Sequence, residues 1–390
     1  MKKKVLLVGS SYSAAPFFFA LKKRNFHISV CGANKNDPCH NYADKSYFID
    51  YSDKNLLLQL VSSEKFDYLI PSCNDFSYLS ASYVATKLNI PGYDSYKKSL
   101  ILHTKERFRL FTEAHKLLVP KSFRNISEHD FKEIQFPVLV KPVDSFSGRG
   151  VSYVDSEEKL RKAIEIAIAS SREKHFQIEE YVDGSLHSHS AFIENGKFFW
   201  EGFTDEFCTV YPFQVDGSCF PSYLSKSIKT KISNEICKIV KSLSLVDGLL
   251  HSQILVKGNS FWIVECMRRC PGDLFGLKLE KATMLPFSDM YVKKFINEKY
   301  DKINLTRDDL YIRKVISSNA TLETLGFDYE GEASNISVIP LKNSGKILKQ
   351  APFDKQAIVF MKFDRERFSK EKTINVLNGL RPTSLRSIYG

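Results

Sequence analysis

Paired cysteines, long apolar runs and glycine-rich nucleotide signatures are all missing from this sequence of 390 residues. The eight cysteines (Cys31, Cys39, Cys73, Cys208, Cys219, Cys237, Cys266 and Cys270) include no CxxC pair. Cys266 and Cys270 come nearest to a motif, and nothing beside them completes a zinc set. This excludes a zinc ribbon, and scattered thiols point to a reduced, cytoplasmic protein. No stretch approaches the ~20 uncharged apolar residues that span a bilayer, so no membrane partner is expected. The start, MKKKVLLVG, has an apolar run confined to Val5–Val8 and no convincing cleavage site. It reads as a first β-strand rather than a signal peptide. The loop after it, Gly9-Ser10-Ser11, lacks a full GxGxxG, and no GK[ST] opens a helix downstream, so a dinucleotide fingerprint and a Walker A loop are both absent. There is also no internal repeat and no low-complexity tract.

What remains is an ordinary globular composition, with 43% hydrophobic and 26% charged residues. The length calls for two or three domains rather than one core. The net charge is +11 and uneven: Leu341–Gly390 holds eleven Lys/Arg against four acids, giving +7 in the last fifty residues. A basic end can meet nucleic acid, an anionic membrane or an anionic substrate. With no aromatic stacking platform there, a solvated basic surface is the plainer reading, and nucleic acid is not expected as a partner.

Strand and helix signals alternate through the first hundred residues. Strands are expected at Val5–Val8, His27–Cys31, Tyr47–Ile49 and Tyr68–Pro71, with helices at about 14–23, 55–62 and 79–88. Such alternation implies βαβ units and a parallel sheet. Ser95–Leu118 is helical in pattern, Phe136–Lys141 a strand, Glu157–Ser170 an amphipathic helix and Phe176–Glu180 a strand. A turn at Glu194–Lys197 and a helix over about 228–243 precede a hairpin, and a smaller mixed region follows Thr306.

Three segments carry chemistry. In FPVLVKPVDSFSGRGV (Phe136–Val151), an apolar strand delivers Lys141 to a loop of small residues. Ser145, Ser147, Gly148 and Gly150 let backbone amides approach an anion, and Arg149 adds a mobile cation over phosphates. The plainer alternative is a turn with an exposed lysine. Glu179, Glu180, Tyr181, Val182, Asp183 and Gly184 follow a strand, as a hinge would. That hinge can offer main-chain groups to an adenine edge, with His187 or Glu180 for the ribose; a strand end and turn is the alternative. In HSQILVKGNSFWIVECMRR (His251–Arg269), a loop over Gly258, Asn259 and Ser260 puts Gln253 opposite Glu265. A Gln carbonyl and a Glu carboxylate suit hard Mg²⁺, which takes one or two protein oxygens plus phosphates and water. On the same register His251 faces Met267, and Arg269 projects to the same side, where it can stabilise a transferring phosphoryl group.

In their order, these residues resemble the ATP-grasp superfamily, in its carbamoyl-phosphate-synthase-like and carboxylate–amine ligase branch. The resemblance spans roughly residues 1–300 and includes IPSCNDF (Ile70–Phe76), LNIPG (Leu88–Gly92) and TKERF, in which Lys105 matches the first ATP lysine. It implies an α/β and α+β protein: a Rossmann-like domain over 1–97, a two-lobed ATP-grasp domain over 98–304 hinged near 178–184, and a small basic C-terminal subdomain over 305–390. It further implies that Lys105, Lys141, Ser147, Gly148, Arg149, Gly150, Glu179, Glu180, Val182 and His187 bind ATP. Gln253 and Glu265 then hold Mg²⁺ (or Mn²⁺), with Arg269 and Lys141 catalytic, and the segment Arg268–Asp273 borders the acceptor pocket. The implied reaction joins a small-molecule carboxylate to an amine, such as an amino acid or peptide, through an acylphosphate, releasing ADP and phosphate. A homodimer is an admissible assembly. Met267 departs from the family, which has Asn there, because a thioether is a poor ligand for Mg²⁺; Arg268 stands where Pro is common. His251 or Asp273 could then reorganise the metal site. A biotin-carboxylase-like carboxylating enzyme and an ATP-binding module without turnover are the other readings.

Overall fold

The computed structural model describes residues 2–124, 128–145, 147–303, 305 and 309–384. Phe146 of the phosphate loop, Thr306 at the expected boundary and Arg386 of the basic end lie outside them.

The first strands are short runs of Val, Leu and Ile that are apolar on both faces, the pattern of a parallel sheet covered on both sides. β1 (Lys4–Val8), β2 (His27–Cys31), β3 (Lys45–Tyr47) and β4 (Tyr68–Pro71) form a parallel sheet in the order β3-β2-β1-β4. β3 begins two residues before the expected position. Strand alternation sends Leu6 and Val8 to one face, against α2 (Lys54–Glu64) and α3 (Asp75–Leu88), and Val5 and Leu7 to the other, against α1 (Ala15–Lys22). α3 starts four residues before the expected helix because Asn74 caps it, its side chain accepting from Ser77 N–H.

The helical stretch after Ser95 is two helices, α4 (Tyr96–His103) and α5 (Lys105–Ala114), broken at Thr104, whose backbone is extended. A small lobe follows, with β5 (Ser122–Phe123), β6 (Val138–Pro142), β7 (Ser152–Val154), α6 (Glu157–Ser170) and β8 (Phe176–Glu180), its antiparallel sheet ordered β5-β8-β6-β7. The larger lobe contains β9 (Ser185–Glu194), β10 (Lys197–Phe207), β11 (Gly217–Phe220), α7 (Lys226–Ser242), β12 (Gly248–Lys257) and β13 (Ser260–Met267). α8 (Phe275–Thr283) and α9 (Phe287–Phe295) come next; the sequence pattern did not reveal them. α9 packs on the N-terminal sheet, with Tyr291 4.4 Å from the Phe17 ring and its hydroxyl donating to Pro71 O at 3.1 Å.

The remaining elements are β14 (Leu310–Ile316), β15 (Leu322–Asp328), β16 (Asn335–Pro340), β17 (Lys346–Leu348), β18 (Ala357–Phe363), α10 (Lys370–Gly379) and β19 (Arg381–Ser384). β14, β18 and β16 extend the large sheet, ordered β13-β12-β9-β10-β11-β14-β18-β16, while β15, β17 and β19 form a separate one. The expected boundary at 305 therefore corresponds to no break in the sheet: β14 pairs directly with β11. Part of the basic end is neutralised internally, through Lys342–Asp354, Lys355–Asp273 and Lys362–Asp309. All eight cysteines are free thiols, and among the described residues no helix is long and apolar enough to cross a membrane.

Arg268 was expected to border a substrate pocket; the structure buries it instead. Its guanidinium donates to Asp94 Oδ2 at 2.8 Å, Leu249 O at 2.8 Å and Val246 O at 2.6 Å, and Asp94 accepts from Val246 N–H at 2.9 Å. The pair clamps the end of β13 to the start of β12. Removing one member of a buried pair strands the other, so Arg268→Met should cost about 3–5 kcal/mol, read as a lower urea midpoint. A loss below about 1 kcal/mol would show the pair to be dispensable.

Candidate functional site

The hairpin of β12 and β13 reaches the expected pairing by an unexpected route. Its turn has two residues, Gly258-Asn259, with Lys257 paired to Ser260. That register alone would misalign Gln253 and Glu265. A bulge between Gln253 and Ile254 restores the offset, so Gln253 lies opposite Glu265 and His251 opposite Met267. Val264 is the extra residue, and its carbonyl accepts from Arg109 Nη2 at 2.7 Å. A bulge that re-aims a side chain is a recurrent feature of functional sites.

Arg109 lies on α5, one turn after Lys105, and also donates through Nε to Glu179 Oε1 at 2.7 Å. The other oxygen of Glu179 takes the ammonium of Lys141. Burial raises the Glu179 carboxyl, but Lys141 and Arg109 outweigh this and hold it at about 2. Glu179 is only 2% exposed, and its side chain holds Lys141 and Arg109, so it offers no side-chain contact to an adenine. Glu180, the next residue on β8, is half-buried on the opposite face. Beyond it, the Val182 N–H donates to no carbonyl among the described residues and is available to a ligand.

His187 is corrected as well. It is 2% exposed, and both ring nitrogens are taken, Nδ1 by Asp205 and Nε2 by Ser185 Oγ, each at 2.7 Å. It braces β9 against β10 and leaves no ring nitrogen for a ribose.

Lys105 points at the phosphate loop and donates to Pro142 O at 3.2 Å and Ser145 O at 2.9 Å. Burial pushes its ammonium pKa down, opposed by Glu265 and reinforced by Lys141. Ser147, Gly148 and Gly150 all have positive φ, 57°, 70° and 70°, which curls the loop as an anion cradle requires. A Cβ on Gly148 would come within 2.8 Å of the Phe213 backbone, so only glycine fits there. Arg149 stacks over the Phe353 ring at 5.0 Å, so the C-terminal segment leans on the loop.

Arg269 meets a partner from the N-terminal domain. Its Nε and Nη2 donate to the two oxygens of Asp75 at 3.1 and 2.8 Å. Burial opposes the charge on Arg269, yet Asp75 raises its pKa. Burial likewise opposes ionisation of Asp75, but Arg269 and His103 hold its carboxyl far below the usual range. His103 Nδ1 bonds Asp75 at 2.7 Å while its Nε2 accepts from Arg268 N–H at 3.1 Å, which assigns the Nδ1–H tautomer. Met267 is buried, as is His251, whose pKa is driven down by burial and by Arg269. Asp273, a candidate to supplement the metal site, instead accepts from Tyr12 Oη at 2.7 Å and Lys355 Nζ at 2.5 Å.

Sequence reading missed Asp75, Arg109, Glu206, Lys278 and Arg313. Arg109 had a signal, being one helical turn from Lys105, and Asp75 follows a strand's C-terminal end, where ligands gather in parallel sheets. Glu206, Lys278 and Arg313 had none, since the order of strands across the sheet brings Glu206 to Gln253 and Arg313 to the same row, and Lys278 reaches that row from α8.

A divalent cation fits the donor set. Glu265 makes no hydrogen bond or ion pair among the described residues, yet it lies within electrostatic reach of Lys105 and Arg269. A half-buried carboxylate without a partner, opposite an amide carbonyl, supplies the oxygens that Mg²⁺ takes from a protein when phosphates complete its shell.

Residues 134–274 match the family described as the ATP-grasp domain. The formate-dependent phosphoribosylglycinamide formyltransferase of Prochlorococcus marinus (strain AS9601) is 26% identical over 347 residues, covering 85% of this chain and 84% of that protein. Among solved structures, phosphoribosylglycinamide synthetase from Anaerococcus prevotii superposes with a TM-score of 0.78 at 16% identity, covering 98% of this chain and 100% of that one. L-amino acid ligase from Bacillus licheniformis gives 0.80 at 14% identity, covering 98% and 99%. The expected mixed α/β architecture, with its parallel N-terminal sheet, is thus borne out.

A carboxyl lowered from its ordinary 4.5 to about 2 by folding adds stability that is fully present above pH 4.5 and is lost as pH falls toward 2. Glu179→Gln lacks that contribution. The difference in unfolding free energy between the two proteins, on the order of 3 kcal/mol at neutral pH, should therefore close across this window in urea titrations. A difference that stays constant from pH 5 to pH 2 would refute an ionised, paired Glu179.

Proposed function

On the premise that this chain carries an ATP-grasp domain, we propose that it is an ATP-dependent ligase joining a carboxylate to an amine with release of ADP and phosphate. The observation that carries this reading is the pairing of Gln253 with Glu265, which has no hydrogen-bonding partner among the described residues and lies within electrostatic reach of Lys105 and Arg269. The activities of the relatives agree with it, as the names formyltransferase, synthetase and amino acid ligase indicate.

ATP lies between the lobes, its adenine against the Glu180–Val182 main chain and its phosphates under Ser147, Gly148, Arg149 and Gly150. Lys105 and Lys141 bind the phosphate oxygens. Gln253 and Glu265 hold Mg²⁺ or Mn²⁺, which neutralises phosphate charge. A substrate carboxylate oxygen attacks the γ-phosphorus as the bond to ADP breaks. The amine then attacks the acyl carbon, expelling phosphate and giving up a proton, to leave an amide. Arg269, held by Asp75, faces the negative charge that develops on the acylphosphate. Closure of the loop keeps water from hydrolysing that intermediate. The acid and amine are small molecules, with amino acids or peptides the class to test first, and a homodimer remains compatible with the chain.

Incubation with ATP and pooled acids and amines, read by mass spectrometry, should yield ADP and a condensed product. Glu265→Gln and Lys105→Met should each lower ADP release by at least ~10²-fold without moving the unfolding midpoint. Lys141→Ala should lose turnover and also stability, because it leaves Glu179 half-paired. Full turnover in Glu265→Gln would place the metal elsewhere. ATP binding without ADP from any pair would favour a module that does not turn over.

A further inference from the structure

The row of residues that crosses the large sheet at Gln253 continues well beyond the metal pair. Gln253 lies opposite Glu265 on one side and Ser188 on the other, and Ser188 lies opposite Thr204. Two residues on from Thr204, and so on the same face of β10, is Glu206. It lies opposite Ser218, which in turn lies opposite Arg313. α8 brings Lys278 to this face, where its ammonium donates to Ser218 Oγ at 3.0 Å and Thr204 Oγ1 at 3.3 Å. Lys278 is wholly buried, and Arg313 and Glu206 are nearly so. None of the three is a surface group waiting for substrate.

Glu206 accepts from Gln253 Nε2 at 3.0 Å. An amide side chain is shape-symmetric, and its oxygen and nitrogen exchange places by a flip. Here the Gln253 NH₂ points inward at a carboxyl oxygen of Glu206, which leaves the amide oxygen on the other side. Burial pushes the Glu206 carboxyl above its ordinary value, against the pull of Lys278 and Arg313, and burial with Arg313 pushes the Lys278 ammonium well below its own, against the pull of Glu206. Arg313 keeps its charge in a protein, and its described side-chain hydrogen bonds go to Ser218 Oγ and Asp273 O, both neutral. Its charge therefore acts on Glu206, whose carboxyl it pulls down.

We propose that Glu206, supported by Lys278 and Arg313, is a positioning residue that locks the Gln253 amide with its carbonyl oxygen turned outward, toward the cation shared with Glu265. The inference rests on the metal assignment above. It explains how a chain with Gln in place of a second carboxylate presents an oxygen rather than an NH₂ to a hard cation.

Mn²⁺ titration in the presence of ADP, followed by electron paramagnetic resonance of the free ion, separates the possibilities. Glu206→Gln offers Gln253 either a donor or an acceptor and no longer fixes the flip. The Mn²⁺ Kd should rise about ten- to a hundredfold, the usual effect of losing an outer-shell partner. Adding Gln253→Glu should restore affinity to the wild-type value or tighter. A carboxylate at position 253 has two equivalent oxygens and needs no flip, and an amide at position 206 can donate to one of them. The double variant exchanges the two side chains and keeps their charge, so it serves as the reading if Glu206→Gln alone does not fold. Unchanged affinity in Glu206→Gln, or weak binding that persists in the double variant, would overturn the positioning role. A wild-type protein that binds no Mn²⁺ would instead remove the metal site itself, and this inference with it.

Discussion

One guanidinium joins the two halves of the site. Arg109 grips Glu179 in the small lobe and the bulged Val264 carbonyl in the large one. Through Glu179 it also fixes Lys141. The lysine loop and the hairpin of Gln253 and Glu265 are far apart in sequence, and each alone has an ordinary structural explanation. What makes them one site is a residue on the helix that precedes both, buried and with a planar fork suited to two acceptors at once. The ionic core beside it is costly to desolvate and contributes little net stability as a group, though losing any one member is expensive. Its role is geometric: it sets where the lysine points and holds the bulge that aligns Gln253 with Glu265.

The N-terminal domain completes the same geometry. Asp75 stands just after β4, at the edge where a parallel sheet presents its ligands, and it fixes Arg269 from outside the two lobes. His103 ties Asp75 to the backbone of Arg268, which is itself locked to Asp94. Tyr12, from the segment after β1, and Lys355, from the C-terminal segment, both end on Asp273. Asp273 and Leu274 have φ of 54° and 55°, a conformation that costs free energy in non-glycine residues and persists only where surroundings enforce it. The chain after β13 is thus bent sharply at the point where three parts of the molecule meet.

Local pattern carried much of this. The βαβ alternation, the strand ending in Lys141 and the hairpin with Gln253 and Glu265 are all visible in residue order, because each depends on neighbours close in sequence. Failures occurred where orientation or sheet order decides. Glu179 and Glu180 are consecutive, so a strand must send them to opposite faces, and nothing in the sequence says which one faces inward. His187 looked available only because Asp205 and Ser185 could not be seen around it. The C-terminal strands read as a separate unit because the partner of β14 is β11, Gly217–Phe220, with three helices and the β12–β13 hairpin intervening in sequence.

The charges left over are the ones the proposed reaction uses. Lys141 is matched by Glu179, Arg268 by Asp94, Arg269 by Asp75, and Lys278 with Arg313 by Glu206. Two groups stand apart from this pairing. Lys105 is met by carbonyls alone, and Glu265 by no hydrogen-bonding partner among the described residues. They are of opposite sign and attract each other across the site. A polyanion chelating a divalent cation satisfies both at once, its oxygens against the ammonium and its metal against the carboxylate. Met267 fits this balance, since a second anionic or strongly polar ligand there would have needed its own counter-charge in a buried position. On the proposed reading, the chain would meet a divalent cation with one carboxylate and one oriented amide, and phosphates would supply the rest of its shell.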